Sequence, residues 1–486
     1  MPAGEAPEGT PAAGAGSAVT GSLISERLLV GTIFVVFATT VANTTSGAVA
    51  LPAIATAFAA GPGDVGWIVF GYSGAFAVMT AVYGSLARRF GLVPCLVSGV
   101  LLVSIGAAAA VLAINLPMLI LARVVQGIGA GAAPPLCMAL FARRLSGPAR
   151  AQALGTIVAA VGVGFASGPL VGGLLLEAFG WRGAMALGLL VAPAAAVIWR
   201  IDRDRGSPDA PLDRVGIALL SGTVGSLVFL VNRLPILGLS APVWIATVAL
   251  VVLGAILVAH SRGRPDAALP LDLFADARLR GAMILGFVGQ TAFLGMLVIV
   301  PIAAARVHDL SGFTLGLLLL PMAGMIAVLS PQNGRLEARV GRTATTGIAN
   351  TLIAAGAIVL AIAGAAAPPL LLAGGLLVAG IGFSFLNAPL VNEVTRLYPG
   401  ERRSVALGIY NLAFFLGTAT GAAISTAVVQ AGWELPLFAG QPVPGFSTAL
   451  LVLAVLPLAT VGLSRLTQRP APPSPASSRT ASRMRG

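Results

Sequence analysis

The chain contains no lysine, charged residues make up only 9% of its 486 positions, and histidine and cysteine occur twice each. Each shortage removes a class of function. Without lysine there is no GxxxxGK[ST] phosphate loop, so the chain by itself is not an ATP-driven pump. Cys95 and Cys137 fall in apolar segments and offer no disulfide framework, so they read as packing thiols. With His260, His308, two scattered cysteines and no HExxH or GxSxG string, there is no metal set and no nucleophile. A membrane-embedded enzyme is therefore disfavoured, and neither metal nor cofactor is expected.

What is present is apolar. Hydrophobic residues reach 57% and the mean hydropathy is +0.95, far from the mix of soluble domains. Lipid is the expected solvent. The net charge of +12 comes from arginines set between apolar runs, where positive loops orient membrane helices, so nucleic acid is not an expected partner. Residues 1–27 are rich in Ala, Gly and Pro, with Glu5 and Glu8 instead of a basic region. They read as a disordered tail and not as a cleaved signal. Residues 467–486, rich in Pro, Ser and Arg, read as a second tail.

One crossing needs about 20 apolar residues, and the chain divides into about fourteen such runs on that criterion. They begin near Leu28, Pro62, Leu92, Pro117, Ala151, Gly183 and Val215, then near Pro242, Leu279, Phe313, Thr345, Pro369, Ser404 and Thr448. Arginine placement predicts the orientation. Arg88 and Arg89, Arg143 to Arg150, Arg200 to Arg214, Arg262 to Arg280, Arg335 to Arg342 and Arg396 to Arg403 share the side of both tails, while the other loops hold only Arg182, Arg233 and Arg306. Both termini are expected in the cytoplasm and the protein in the cell membrane.

A parallel repeat emerges when the second half is laid over the first at an offset of 249 to 253 residues. Ala50-Leu51-Pro52 meets Ile299-Val300-Pro301. Gly84 to Gly91, containing Arg88 and Arg89, meets Gly334 to Gly341, containing Arg339, and both read G-x-L-x-x-R-x-G. Gly127-Ile128-Gly129 recurs as Gly380-Ile381-Gly382, and Gly164-x-x-x-Gly168 as Gly417-x-x-x-Gly421. Each landmark moves by an even number of spans, so the halves share one orientation. The predicted fold is all-α with fourteen transmembrane helices arranged 6+2+6: a bundle over 28–200, an inserted pair over 201–277 and a bundle over 278–466. Two like-oriented bundles facing a midplane cavity suit alternating access.

Three motifs resemble the major facilitator superfamily, in particular its fourteen-helix drug/proton antiporter branch, over nearly the whole apolar length. Leu119-x-x-x-Arg123-x-x-Gln126-Gly127-x-Gly129-Ala130 matches the helix-four motif. Gly164-x-x-x-Gly168-Pro169-x-x-Gly172-Gly173 matches the helix-five motif associated with antiporters, and the segment at Gly84 matches in part. The resemblance implies a monomeric secondary transporter that exports drug-like compounds, with the proton as coupling ion. Glycines four apart give a close-packing face, and Pro169 removes a backbone donor.

Two positions depart from the family pattern. Asn43 stands where an aspartate is usual, and Arg88 stands where the loop motif has another. Arg123, the one arginine placed inside a span, is expected to have a function and a partner, because an intramembrane charge costs several kcal/mol. It lies roughly 9 Å from the outer end of its helix, a depth that Asn43 shares. Together with Gln126 these form the expected transport and coupling site. Tyr72, Gln290, Asn387 and Asn411 are the candidate cavity residues. Arg123 without a deep carboxylate favours neutral or anionic substrates. Import by the same fold, lipid or glycolipid translocation, and a non-transporting receptor or scaffold remain alternatives.

Overall fold

The computed structural model describes residues 13–145, 147–201, 206–207, 212–264, 267–310, 312–398 and 402–466, and these contain helices and short connections with no strand. The first seven helices are α1 (Ala13–Ala57), α2 (Pro62–Phe90), α3 (Leu92–Val111), α4 (Leu116–Ala130), α5 (Ala133–Arg144), α6 (Gly147–Met185) and α7 (Ala192–Ile201). Next come α8 (Arg214–Leu237) and α9 (Ala241–Ser261). The rest are α10 (Ala277–His308), α11 (Gly312–Leu329), α12 (Asn333–Val340), α13 (Arg342–Ala363), α14 (Pro369–Ser384), α15 (Asn387–Leu397), α16 (Arg402–Gln430) and α17 (Phe446–Leu466). Starts follow local chemistry. The Asn115 side chain accepts from the Met118 N–H at 2.8 Å and caps α4, while Asp276 does the same for α10 through Arg278. Proline occupies the first turn of α2, α4, α9 and α14, where no intrahelical donor is needed.

Among the described residues, eleven helices are long and apolar enough to cross a membrane, and α11 with α12, bent by 66°, makes a twelfth. The run over Ala159–Arg200 has 42 residues, about twice what one crossing needs. It turns at Gly180, whose φ of 68° and ψ of −168° suit only glycine. The fourteen expected from sequence would require this run to count as two spans and the shorter apolar stretch Phe446–Val461 as another.

The repeat is visible in the backbone as well as in the residues. Left-handed positions pair at offsets of 250 to 252: Ala59 with Asp309, Gly91 with Gly341, and Gly180 with Gly432. The α4/α5 and α14/α15 junctions break alike. The Ala132 N–H bonds to the Gly129 carbonyl at 3.1 Å, and the Phe385 N–H to the Gly382 carbonyl at 3.0 Å, 253 residues later. Such three-residue closures end a helix by tightening its last turn.

The segments from Gly84 and Gly334, expected as loops, are helical instead: the first is the end of α2 and the second lies in α12. One glycine among good helix formers lowers helix stability by only about 1 kcal/mol, so the helix continues. The turn belongs to the closing residues, Gly91 with φ 96° and Gly341 with φ 79°. Nothing lies within 4 Å of a Cβ added at Gly84. Gly84→Ala should therefore leave thermal stability unchanged or slightly raised, whereas Gly91→Ala should lower it, as melting of the purified variants would reveal.

Within the halves, α1 packs on α6 and α10 on α16; between them, α2 packs on α16 and α6 on α11. The pair α8 and α9 sits outside, with α8 against α2 and α16. Arg233 of α8 bonds to Asp64 of α2 at 3.0 Å and lies over Trp67, which also meets Phe229. Helix α9 exposes Trp244, Ile245, Val248 and Val251, an apolar face fitted to lipid.

The arginine-rich end of this pair is held by Asp213. Its carboxylate accepts from the Gly216 N–H at 2.8 Å, from the Ala268 N–H at 2.9 Å, and meets His260 Nε2 at 2.7 Å. Burial raises this carboxyl's pKa, but the two backbone donors and His260 outweigh it, so the group stays below its ordinary value. A carboxyl depressed on folding contributes stability above its unfolded pKa of about 3.9, and loses it as pH falls through the lower folded value. Asp213→Asn should lose that part of the acid dependence of the melting temperature while keeping the curve above pH 5 parallel to wild type.

Candidate functional site

Arg123 is 1% exposed and is the largest fully buried side chain among the described residues. It projects from α4 into a pocket made by α1, α2 and the end of α6. Its Nη1 donates to Gln126 Oε1 at 2.6 Å, its Nε donates weakly to the Ile68 carbonyl at 3.4 Å, and its guanidinium lies 4.5 Å from the Tyr72 ring centre. The i, i+3 spacing of Arg123 and Gln126 puts both on one face of α4. A cation over an aromatic face is favourable where water is excluded.

The opposite wall is α1. A Cβ at Gly47 would stand 3.3 Å from Arg123 Nη2, so glycine makes room for the guanidinium, and Met185 closes the same corner. Asn43 lies one turn earlier on the same face of α1 and is fully buried. Its Oδ1 and Nδ2 have no hydrogen-bond partner, and neither has Gln126 Nε2. Sequence reasoning brought Arg123 and Asn43 to one depth and set Gln126 and Tyr72 at others; the structure puts Gln126, Tyr72 and Gly47 against the Arg123 guanidinium, with Asn43 one turn from Gly47. Sequence reasoning missed Gly47, although the four-residue step from Asn43 to Gly47 was a usable signal.

The Gly164 motif packs α6 on α1. Cβ atoms added at Gly164, Gly168 and Gly172 would stand 2.5 Å from the Ala38 carbonyl oxygen, 1.8 Å from Thr45 Oγ1 and 2.5 Å from Ser46 Oγ. Only glycine allows that approach. Gly173 is buried beside them. Pro169 looks the other way: a Cβ at Gly316 of α11 would stand 2.4 Å from the Pro169 carbonyl oxygen. One stretch of α6 thus grips α1 in its own half and abuts the other half.

The second-half candidates lie apart from Arg123. Gln290 Nε2 donates to Thr418 Oγ1 at 2.7 Å, and Tyr410 Oη donates to Asn387 Oδ1 at 2.8 Å. Asn411 is half-buried on α16. An aromatic row that sequence reasoning did not find joins the halves. From Tyr72 it runs to Phe76 at 6.2 Å, to Phe415 at 4.1 Å, to Phe414 at 5.3 Å and to Tyr410 at 6.0 Å. The row crosses from α2 to α16 and links the Arg123 pocket to Asn387.

At the arginine-rich end, the carbonyl of Arg88 accepts from the Ser207 N–H at 2.9 Å, and Arg89 lies over Phe90. Arg339 is exposed on α12. Arg342 pairs with Glu393, and Glu337 faces Arg396 at 3.9 Å, so α12 and α13 are tied to α15 by charge. Among the described residues no group of three or more His, Cys, Asp or Glu could hold a metal ion.

Comparison with known proteins places this geometry. The family model described as Major Facilitator Superfamily matches residues 30–330 and 282–485. The "Drug efflux pump JefA" of Mycobacterium tuberculosis is 29% identical over 419 residues, covering 84% of this chain and 82% of that protein. The "Multidrug resistance protein Stp" of the same organism is 27% identical over 390 residues, covering 79% and 72%. The "Tetracenomycin C resistance and export protein" of Streptomyces glaucescens is 30% identical over 306 residues, covering 62% and 56%. Among solved structures, the human organic anion transporter MFSD10 (TETRAN) shares the fold with a TM-score of 0.60 at 16% identity, over 90% of this chain and 99% of that one.

Proposed function

Because the chain belongs to the major facilitator superfamily, and is a multi-pass membrane transporter and not an enzyme, we propose that it exports a small hydrophobic or amphipathic, antibiotic-like compound by alternating access. The observation that carries the reading is the α6 surface. Its glycines hold α1 while Pro169 touches Gly316 of the other half, so the segment that resembles the antiporter motif sits where two bundles would pivot. The relatives named for efflux and export support the direction of transport.

In this reading the bundles span 28–200 and 278–466, the inserted pair lies between them, and the chain works as a monomer in the cell membrane with both termini in the cytoplasm. Arg123, Gln126 and Asn43 form its polar centre. Tyr72, Gln290, Asn387 and Asn411 serve the substrate path. The compound is neutral or anionic, because a desolvated organic cation would find a guanidinium where it needs a carboxylate. The proton gradient drives export, and the coupling proton is carried somewhere other than Asn43, whose amide does not titrate.

The test is a susceptibility panel on cells with and without the gene, repeated with a protonophore. Resistance to one or more compounds that disappears with the protonophore is the expected result. No change in susceptibility or in accumulation of any compound would overturn export, and resistance that survives the protonophore would overturn proton coupling.

A further inference from the structure

The Arg123 pocket has a surplus of hydrogen-bond donors and an uncompensated charge. The guanidinium is buried, stays charged at neutral pH, and has for company one amide oxygen, one distant carbonyl and a ring face. None of these carries a full negative charge. The acids of the first bundle are Asp64 and Glu177, with Glu26 just before it. Glu26 lies on α1 seventeen residues before Asn43, Asp64 is in the first turn of α2 and bonded to Arg233, and Glu177 is exposed.

Nearby, the donors Gln126 Nε2 and Asn43 Nδ2 and the single acceptor Asn43 Oδ1 are buried without partners. Arg123 Nη2 faces α1 beside Gly47. Unpaired buried polar groups are costly, and a buried unpaired charge more so. The second half gives a comparison: 253 residues on from Arg123 and Gln126 stand Leu376 and Ala379, both fully buried. Close packing of the bundle therefore does not require a polar cluster at this depth.

We propose that this pocket binds a compact anion, either a small inorganic ion or the carboxylate of an organic acid, that accepts from Arg123, Gln126 and Asn43 and supplies the charge that an acid at position 43 would otherwise provide. Asn43 makes the site: its amide leaves the charge to a ligand and adds a donor. The inference does not depend on whether transport is outward or inward.

The test uses the full chain purified in detergent, melted in sodium HEPES, a bulky sulfonate and not a carboxylate, with chloride or benzoate replacing HEPES at constant ionic strength. A saturable rise in melting temperature of about 2 °C or more is expected with at least one of them. A rise with chloride assigns an inorganic ion; a rise with benzoate alone assigns an organic carboxylate. Asn43→Asp, which builds the charge into the protein, should melt at or above the wild type in HEPES and lose the response. Arg123→Gln should lose the response too, so the proposal remains testable should one variant fail to fold. No response to either anion in wild type would overturn it, as would a response of equal size in both variants.

Discussion

Replacing Arg123 with methionine should reduce export by about tenfold or more while leaving the melting temperature near that of wild type. A charge at the centre of a membrane helix costs about 2.5–3.5 kcal/mol, and a tenfold loss corresponds to only about 1.4 kcal/mol. A residue retained at such a cost should therefore show a clear functional loss. Stability behaves differently. Exchanging a buried ion for an apolar side chain of similar size is often neutral or stabilising by about 1–4 kcal/mol. Against that stands Gln126 Oε1, which loses its donor at about 1–3 kcal/mol. The two nearly cancel. Transport by folded Arg123→Met at the wild-type rate would remove the arginine from the mechanism, and a collapse in melting temperature would make its role structural.

The second large effect is expected at Gly168. An added Cβ would stand 1.8 Å from Thr45 Oγ1 and 2.8 Å from the Ala42 carbonyl oxygen, so α6 must move off α1. Overpacking of that kind costs about 1–3 kcal/mol even for one methyl group, and leucine at this site should abolish both folded yield and export. Gly324 of α11 is the control, since nothing lies within 4 Å of its added Cβ. Gly324→Ala should be neutral or stabilising by up to about 1 kcal/mol through helix propensity. Equal effects at the two glycines, measured by melting and by drug accumulation, would mean that the close approach of α6 to α1 is unimportant.

The apolar runs, the arginine-flanked connections and the parallel repeat were legible in the sequence because each rests on a local pattern: length, charge placement or spacing. Helix breaks were harder. The 3₁₀ turn over Ala186–Val191 and the short helix α7 interrupt the sixth span, and nothing in Leu187-Gly188-Leu189-Leu190 announces it. The Gly84 and Gly334 segments read as loops because glycine and arginine mark loops in general, yet local propensity keeps both helical. At the candidate site, Arg123 and Asn43 could be brought to one depth by counting residues from the helix ends. Gly47 could have been found by its four-residue step from Asn43, but Ile68 and Met185 could not, because a carbonyl offered or a corner closed is something no side-chain type reveals. The aromatic row from Tyr72 to Tyr410 depends on α2 meeting α16 across the halves, a contact between segments more than 300 residues apart in the chain.

Motion of the two bundles is the claim on which the functional account stands. In the structure, Ser46 to Leu51 of α1 and Val288 to Ala304 of α10 are buried on all sides toward their arginine-poor ends, while the first half of α1 keeps an exposed stripe. The direct measurement is a pair of spin-label distances in reconstituted protein, one between positions 144 and 397 at the arginine-rich ends of α5 and α15, the other between positions 57 and 306 at the far ends of α1 and α10. On imposing a proton gradient or adding an exported compound, the first distance should shorten as the second lengthens. Distances that stay constant, or that change together in the same direction while transport proceeds, would contradict alternating access by two rocking halves.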